Sequence, residues 1–313
     1  MRDIGIVIVT CNSAAVIGPC LDAAICSGAE TVVIDNASVD GTPDLAARQG
    51  VKIIVNSTNL GFAGGVNQGF SVLNCPYILL LNPDAIIQTS LEPLREACDL
   101  PYAAGAGGLL KDAQGNPQIG FMVRKFPTPW ALVLESLLLN RVWPGNPVNR
   151  AYRGLGLDYS RLQPVEQPAG AFLMIRRAVW EELGGFDEGF QPLWFEDVDF
   201  CRRAAKLQYR WYFVPEVVAK HTGAHSILKL PLEMRRVYWY RSLLRYAAKH
   251  FHARGVRVVS AAVLLGSFLR ALGESAVQRS LKPGMAYRKV IVLAARSLFG
   301  GVDYSASVLD SYK

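Results

Sequence analysis

Short apolar runs alternate with polar, helix-like segments along the first hundred residues. The runs cover residues 4–9, 31–34, 51–55 and 77–81, which are lengths typical of strands and too short for helices. Their near-continuous apolar character is typical of strands buried on both faces of a parallel sheet. The alternation predicts βαβ units and an α/β fold with a doubly wound, mostly parallel, Rossmann-like sheet.

Polar loops follow three of these four runs. Their candidate ligand-binding residues are Thr10, Asn12, Asp35, Asn36, Asp40, Asn82 and Asp84. An Asp or Asn after a strand often serves only as a helix cap or an Asx-turn, so each residue by itself also fits a local role. Because the carboxyl ends of parallel strands meet at one edge of the sheet, the residues together predict a ligand crevice at that edge.

A glycine-rich segment, NLGFAGGVNQG at residues 59–69, follows the third run. Its glycines permit close approach of a ligand to the backbone and a tight turn into a helix. The glycine spacing is GxxGG, and the segment does not follow the first strand. Both features argue against a GxGxxG dinucleotide-binding fold.

A second polar centre is the segment PLWFEDVDFC at residues 192–201, where Glu196, Asp197 and Asp199 lie beside Trp194. Carboxylates held among aromatic side chains repel one another and lose hydration, so they point to catalysis, to a bound cation or to a hydrogen-bond donor. The acidic residues also fit a solvated helix N-terminus. Trp194 also fits ordinary packing.

Residues 121–158 interrupt the alternation of strands and helices. The segment is rich in proline and contains one short apolar stretch, residues 130–139, that predicts a helix. A long, irregular apolar segment fits an active-site lid or an acceptor-binding loop that contacts a lipid carrier. Structural packing explains it equally well.

The net charge of +7 is concentrated near the C-terminus, where residues 229–300 hold 14 Lys and Arg but only two acidic residues. Apolar runs at 258–269 and 290–293 alternate with these arginines, which predicts amphipathic helices lying on an anionic membrane surface. Neither run reaches the roughly 20 apolar residues that span a bilayer. Helices packed on the catalytic domain with solvated arginines are the alternative.

The six cysteines form no CxxC pair, so neither a structural zinc site nor a disulfide framework is indicated. The N-terminus lacks the basic and apolar regions of a signal peptide. We therefore expect a cytoplasmic protein that associates peripherally, through its basic C-terminal region, with the inner face of the cell membrane.

Eight segments carry a resemblance to a known family. In chain order they are IVIVTCNS (6–13), VVIDNASVDGT (32–42), NLGFAGGVNQG (59–69), LLLNPDA (79–85), PAGAFLMIRR (168–177), GGFDEGF (184–190), WFEDVDFCRR (194–203) and HTGAHS (221–226). Together they resemble the inverting glycosyltransferases of family 2, and within it the rhamnosyltransferase-type enzymes of bacterial cell-envelope polysaccharide assembly. The resemblance implies a GT-A fold, a sugar-nucleotide donor and a divalent metal, Mg²⁺ or Mn²⁺, on the donor diphosphate.

The resemblance also implies which residues bind the donor. Asp35 would accept a hydrogen bond from the imide of the base, which implies a uridine or thymidine diphosphate. The other implied donor-binding residues are Thr10, Asn12, Asn36, Asp40, Asn59, Gly61, Gly65, Asn67, Asn82 and Asp84.

The metal site is implied in the same way. Asp84 and His221 would be the metal ligands, with phosphate and water in the other positions. Asn82 stands where many relatives have Asp, which leaves the site one charge short. A hydrogen-bonded structural histidine is the alternative for His221, and the matches at His225 and Ser226 are weaker.

Asp197 matches the catalytic base of the family. Transfer with inversion needs a carboxylate within hydrogen-bond reach of the acceptor hydroxyl, on the face of the sugar opposite the leaving diphosphate. Glu196 and Asp199 would orient the acceptor or hold the loop. Trp194 would stack on a sugar ring.

The predicted activity is transfer of L-rhamnose from a thymidine diphosphate donor to a lipid-linked or polysaccharide acceptor. A UDP-hexose donor is the nearest alternative. A nucleotidyltransferase or a nucleic-acid-binding protein would be alternatives from other classes, but no nucleic-acid partner is expected. The predicted domains are a catalytic domain, 1–228, with a donor half (1–110) and an acceptor half (111–228), and a basic helical region, 229–313. The oligomeric state stays open, a homo-oligomer included.

Overall fold

A computed structural model describes residues 3–223, 230–280 and 282–300 of the chain. The chain divides into two compact units. Unit 1 comprises Met1–Phe126, Arg153–Asp187 and Glu196–Lys229, and unit 2 comprises Pro127–Tyr152, Glu188–Phe195 and Leu230–Lys313. The predicted division at residue 228 stays a prediction, and two internal segments of the 1–228 range belong to unit 2.

A mixed β-sheet forms the centre of unit 1. Its strands are β1 (Ile4–Thr10), β2 (Glu30–Asn36), β3 (Val51–Asn56), β4 (Tyr77–Leu81), β5 (Ala85–Ile87), β6 (Ala103–Lys111), β8 (Gln163–Val165), β10 (Phe172–Arg176) and β11 (Arg210–His221). The strand order is β3-β2-β1-β4-β10-β6-β11-β5, with β8 paired to β11. The pairs from β3 to β4 and the β6–β11 pair are parallel, and β10 runs antiparallel to both its neighbours. Two further strands, β7 (Val123–Arg124) and β9 (Gln167–Pro168), form a small ribbon.

Apolar side chains cover both faces of this sheet. Along β1, Ile6 and Ile8 belong to one buried cluster, whereas Val7 and Val9 belong to another. This alternation explains why the strand is apolar at every position, as expected for a strand covered on both sides. The predicted α/β fold is confirmed, and the four predicted strands are β1 to β4.

The described part of unit 1 also contains six helices. They are α1 (Ile17–Cys26), α2 (Thr42–Ala46), α3 (Gly61–Val72), α4 (Glu92–Cys98), α8 (Arg177–Leu183) and α9 (Glu196–Lys206). The acidic segment begins α9, with Glu196, Asp197 and Asp199 in its first turn. Acidic residues there are favoured by the helix dipole.

Helices make up most of what is described of unit 2. They are α5 (Pro129–Ser136), α6 (Leu139–Val142), α7 (Pro147–Tyr152), α10 (Leu232–His250), α11 (Ala253–Gln278) and α12 (Lys282–Leu298). Helix α11 packs on α5, α10 and α12. Its Gly266 lies so close to α5 that a Cβ there would come 2.1 Å from the Ser136 carbonyl oxygen. Arg270 donates from Nη2 to the same oxygen at 2.8 Å.

Helix α11 is longer than the apolar run that the sequence indicated. It continues through Arg270 as one helix of 26 residues. By length and composition, its stretch Ala253–Val277 is the one candidate among the described residues for a membrane-crossing helix, and 39% of its most apolar window is buried inside the protein. Core helices of proteins that do not span membranes can have the same length and composition, but they are mostly buried.

Candidate active site

The carboxylate of Asp35 joins the loops that follow β1 and β2. Its Oδ1 accepts hydrogen bonds from Thr10 Oγ1 at 2.8 Å and from Ser38 Oγ at 2.6 Å, and its Oδ2 accepts one from the Ser38 backbone N–H at 2.9 Å. The side chain is fully buried. We call Thr10, Asp35 and Ser38 the Asp35 network. The Asp35 network holds the two loops together at the edge of the sheet where the crevice is predicted. Contact of Asp35 with a base stays a prediction.

Asn12 and Asp40 tie the same two loops together nearer the surface. The Asn12 backbone N–H donates to Ser38 Oγ at 2.7 Å, and Asn12 Oδ1 accepts from the Val39 backbone N–H at 2.9 Å. Asp40 Oδ2 accepts from the Ala14 backbone N–H at 3.2 Å. Asn12 has a positive φ of 53°, a conformation that asparagine tolerates better than most residues. The two loops therefore form one cross-linked edge.

Two asparagines hold the start of α3. Asn36 Nδ2 donates to the Gly61 carbonyl at 2.9 Å, and Asn59 Oδ1 accepts from the Gly61 backbone N–H at 2.8 Å. Gly61 itself has a φ of 76°, which a residue with a Cβ rarely adopts. Asn36 is buried, whereas Asn59 is exposed. Of these three residues, Asn59 is the one whose side chain has surface available for a ligand.

Gly65 and Asn67 each contact another segment of unit 1, one by packing and the other by hydrogen bonds. A Cβ on Gly65 would come 2.7 Å from Val9 Cγ1, so this glycine lets α3 pack closely on β1. Asn67 donates from Nδ2 to the Phe186 carbonyl at 3.0 Å and accepts from the Phe186 backbone N–H at 2.9 Å. Both residues shape the unit, and their direct contact with a nucleotide stays a prediction.

Asp84, His221 and Asn82 meet where β5 pairs with the end of β11. His221 Nε2 lies 3.4 Å from Asp84 Oδ1 and 3.4 Å from Asn82 Nδ2. Asp84 and His221 are 7% and 3% exposed, so neither is an ordinary surface group. The β5–β11 register, which places His221 opposite Ala85, brings this pair together. We call Asn82, Asp84 and His221 the Asp84 cluster.

The donor atoms of the Asp84 cluster fit a divalent metal whose other coordination positions are filled by a bound molecule and water. A carboxylate oxygen and an imidazole nitrogen 3.4 Å apart are close enough to bind one ion. Among residues 3–223, 230–280 and 282–300, no group of three or more His, Cys, Asp or Glu side chains has a metal-binding arrangement. Of the described residues, Asp84 and His221 would supply two ligands, and phosphate and water would fill other positions, as they do at most Mg²⁺ sites.

Asp197 is held at the first turn of α9 by backbone donors. Its Oδ2 accepts from the Gly170 backbone N–H at 2.9 Å and from Gln167 Nε2 at 3.3 Å, and its Oδ1 accepts from the Val198 backbone N–H at 2.8 Å. Burial raises the pKa of Asp197 above its ordinary value, although the backbone N–H groups of Gly170 and Val198 and the charge of Arg124 oppose that rise. As a whole, residue 197 is half-buried. A raised pKa improves a carboxylate as a general base.

Two adjacent residues connect Asp197 with the loop of the Asp84 cluster. Gly170 donates to Asp197, and the carbonyl of the next residue, Ala171, accepts from the Asn82 backbone N–H at 3.0 Å. Both bonds come from the segment that enters β10. The central sheet therefore brings the predicted base and the predicted metal ligands into one region.

The other acidic residues of α9 have different surroundings. Glu196 is 5% exposed, and its Oε2 has no hydrogen-bond partner among the described residues. Burial, followed by the nearby charge of Asp197, raises the pKa of Glu196 well above its ordinary value. The protonated, neutral form of the Glu196 side chain is therefore favoured in the folded protein.

Asp199 has no exposed surface and accepts from Arg203 Nε at 2.8 Å. Arg203 also donates to the carbonyls of Leu183 and Gly185 at 2.7 and 2.6 Å. Of the two roles predicted for Asp199, this geometry supports holding the loop. Acceptor binding by Asp199 and Glu196 stays a prediction.

Trp194 belongs to unit 2, where its ring lies 5.5 Å from that of Trp239 in an edge-to-face arrangement. Trp194 and Phe195 have positive φ values of 78° and 72°. Such conformations are strained for aromatic residues and concentrate at functional sites. Stacking of Trp194 on a sugar stays a prediction.

The sequence matches a known family over more than half its length. The model described as Glycosyl transferase family 2 matches residues 5–183. The chain belongs to glycosyltransferase family 2. The predicted family is confirmed, and the matched range ends before Asp197 and His221.

Similar proteins include two rhamnosyltransferases. The N-acetylglucosaminyl-diphospho-decaprenol L-rhamnosyltransferase of Mycobacterium tuberculosis is 28% identical over 253 residues, which is 70% of this chain and 79% of that protein. The rhamnosyltransferase WbbL of Escherichia coli K12 is 27% identical over 55% of this chain and 62% of its own length. The chain is therefore a rhamnosyltransferase-like member of family 2.

Two solved structures share the fold. TarS of S. aureus, residues 1–349 in complex with UDP-GlcNAc, has a TM-score of 0.54 and 16% identity over 95% of this chain and 82% of that one. A mannosyltransferase of Pyrobaculum calidifontis, in complex with GDP-Man and Mn²⁺, has a TM-score of 0.52 and 16% identity over 97% of this chain and 89% of that one. These likenesses support the GT-A fold with C-terminal helices.

Two residues that contact the candidate site, Gly170 and Gln118, could not be recognised from the sequence. Gly170 lies inside the segment PAGAFLMIRR, whose resemblance implies no role for it, and none of the eight segments contains Gln118, which contacts His221. No local signal marks Gln118, because its partner lies 103 residues away. His225 and Ser226 lie outside the described residues.

Proposed function

We propose that this family 2 glycosyltransferase transfers L-rhamnose, with inversion, from a thymidine diphosphate donor to a lipid-linked glycan acceptor in cell-envelope synthesis. The observation that carries the inverting mechanism is the anchoring of Asp197, whose Oδ2 accepts the Gly170 N–H at 2.9 Å. This bond fixes the carboxylate, and the residue as a whole is only half-buried, which suits a base that must meet an acceptor hydroxyl.

The proton and the leaving group go to opposite sides of the sugar in this proposal. Asp197 takes the proton of the acceptor hydroxyl as its oxygen attacks the anomeric carbon. The nucleoside diphosphate leaves with the electron pair of the bond that breaks. Because the diphosphate is already a good leaving group when its charge is balanced, no second carboxylic acid has to protonate it.

The Asp84 cluster would hold the divalent metal on the diphosphate, with Asp84 and His221 as the protein ligands. Bound there, Mg²⁺ or Mn²⁺ would neutralise charge on the leaving group. Asn82 lies 3.4 Å from His221 and contributes no charge. With one carboxylate, we expect weak metal binding in the absence of nucleotide and tighter binding in its presence.

Sugar-nucleotide binding is the first test. Calorimetry with dTDP, UDP, GDP and their sugars, with and without Mn²⁺, should reveal metal-enhanced binding of a pyrimidine diphosphate. Turnover with dTDP-rhamnose, but not with UDP-hexoses, on a polyprenyl diphosphate-linked N-acetylglucosamine would support the full proposal. Turnover only with a UDP-hexose would change the donor and leave the mechanism intact. No binding of any nucleotide would contradict the proposal.

We also propose that unit 2 attaches the enzyme to an anionic membrane. Four large apolar side chains on α11, spaced along one helical face, are 51–56% exposed: Leu265, Phe268, Leu269 and Leu272. The exposed Arg254 and Arg257 lie about three turns earlier on the same face. An apolar stripe next to arginines suits a helix at an anionic interface.

Vesicle sedimentation tests this attachment. Leu269→Asp should reduce binding to vesicles that contain phosphatidylglycerol, because it places a charge on the apolar stripe. Leu207→Asp is the matched control, since Leu207 is a 50% exposed leucine in unit 1. Binding by apolar contact should survive high salt in part. Equal sedimentation of the two variants and the parental protein would contradict the membrane role of α11.

A further inference from the structure

Gln118 holds the ring of His221 through two hydrogen bonds. Its Nε2 donates to the His221 backbone carbonyl at 2.9 Å, and its Oε1 lies 2.9 Å from His221 Nδ1. The Gln118 backbone is itself fixed, because its N–H donates to the Leu110 carbonyl at 2.9 Å. Phe121, three residues later, stacks on the imidazole with ring centroids 5.2 Å apart and an interplanar angle of 11°. One loop therefore sets both the position and the plane of the ring.

These contacts determine which ring nitrogen carries the proton. A carbonyl oxygen only accepts, so the Gln118 atom facing the His221 carbonyl has to be the NH₂ group. The other end of the amide, facing Nδ1, is then Oε1, which also only accepts. Nδ1 must therefore carry a hydrogen. The opposite tautomer would place two acceptors 2.9 Å apart.

The lone pair of the neutral ring is consequently on Nε2. This atom lies 3.4 Å from Asp84 Oδ1 and faces the rest of the Asp84 cluster. Histidines that bind metals commonly donate their other N–H to an oxygen, which fixes the tautomer and orients the ring. The geometry around Gln118 has this form.

We propose that Gln118 is a positioning residue that fixes the tautomer of His221 and thereby offers Nε2, together with Asp84, to the divalent metal of the donor. The proposal rests on the proposed function in one respect, the metal that accompanies the nucleotide. The tautomer itself is a property of the protein alone. The two parts can therefore be tested separately.

Nitrogen-15 NMR of the histidine side chains tests the tautomer without any ligand. The chain has four histidines, and the signals of His221 are identified by their loss in His221→Asn. We expect Nδ1 of His221 to show the shift of a protonated nitrogen and Nε2 that of an unprotonated one. A ring with the proton on Nε2 alone would overturn the proposal.

Metal affinity tests the consequence. Gln118→Leu removes both hydrogen bonds, and we expect the affinity for Mn²⁺ in the presence of dTDP or UDP to fall roughly 10- to 100-fold. Nucleotide affinity without metal should stay unchanged. Gln114→Leu is the matched control, because Gln114 is an exposed glutamine on the same loop.

The outcomes separate this proposal from the proposed function. Parental Mn²⁺ affinity in Gln118→Leu would overturn the positioning role alone. A parental protein that binds nucleotide but no Mn²⁺ would overturn the metal-offering part together with the metal part of the proposed function. If Gln118→Leu does not fold, the NMR measurement on the parental protein still decides the tautomer.

Discussion

Asp35 and Asp197 are two carboxylates of unit 1 with nearly the same hydrogen bonding and different access. Each accepts three hydrogen bonds from the protein, at least one of them from a backbone N–H. Asp35 has no exposed surface, whereas Asp197 keeps some, and burial raises the pKa of Asp197. The number of hydrogen bonds therefore does not distinguish Asp197, the proposed base, from Asp35. The two residues differ in exposed surface, which a base needs in order to meet an acceptor hydroxyl.

Asp197→Asn should have the largest effect on turnover. Asparagine keeps the shape but cannot take a proton, so kcat should fall by roughly 10²- to 10⁴-fold, the usual contribution of a general base. Binding of the sugar nucleotide, measured by calorimetry, should not change. Turnover near the parental rate would show that another group acts as the base.

Gly170→Ala should disturb Asp197 without replacing it. A Cβ on Gly170 would come 3.1 Å from Asp197 Cβ and 3.2 Å from Oδ2, so the carboxylate has to move by a few tenths of an ångström. We expect kcat to fall roughly tenfold, because small displacements of a catalytic group are costly. The change in kcat should be larger than the change in the KM for the donor.

Gly156→Ala is the control for this variant, since a Cβ at that exposed glycine has no neighbour within 4 Å. It should leave kcat unchanged. Equal kcat in Gly170→Ala and Gly156→Ala would mean that the Gly170 contact does not position the base.

Asp35→Asn makes the same change of Asp to Asn as Asp197→Asn does. We expect it to act mainly on the free energy of unfolding. One of its two oxygens becomes an NH₂ group facing a hydrogen-bond donor in the Asp35 network. Leaving a buried donor unsatisfied costs about 1–3 kcal/mol. Urea unfolding should show this loss of free energy of unfolding, whereas Asp197→Asn should show a smaller one.

Turnover by the folded fraction of Asp35→Asn should fall far less than in Asp197→Asn. The reverse result, a stable Asp35→Asn protein with no turnover, would show that the predicted contact of Asp35 with the donor matters more than its hydrogen bonds within the Asp35 network. It would also remove the distinction between the two carboxylates.

Strands β1 to β4 could be predicted from the sequence because each is a nearly continuous apolar run. The strand β6, AAGAGGLLK, escaped notice because glycine and alanine are poor strand signals. Its glycines have a physical reason that only the packing reveals. A Cβ on Gly105 would come 2.1 Å from the Met174 carbonyl oxygen of the neighbouring strand β10.

The candidate site also contains residues that could be predicted from the sequence and residues that could not. Residues at strand ends, such as Asp35 and Asp84, could be predicted because topology brings strand ends together. The partners that orient them could not, since Gly170 and Gln118 contact residues 27 and 103 positions away. The motif resemblance identified the acidic residues of α9 but did not tell which of them are buried.

Glu196→Gln should have the smallest effect on turnover and therefore sharpens the comparison most. Glutamine resembles the neutral acid that burial and Asp197 favour at position 196. The folded parental protein keeps a proton there that the unfolded chain releases, so its stability falls as pH rises from the ordinary pKa of a glutamate toward the raised pKa. Glu196→Gln should lack this dependence and exceed the parental stability increasingly as pH rises.

Unfolding by urea at several pH values, together with kcat, checks this expectation. Asp197→Asn, one residue away, provides the contrast, because it should lose turnover and Glu196→Gln should not. A large fall in kcat in Glu196→Gln, with parental nucleotide binding and stability, would show that the ionised carboxylate of Glu196 is needed. In that case access alone would not explain which carboxylate of α9 performs the chemistry, since Glu196 is 5% exposed.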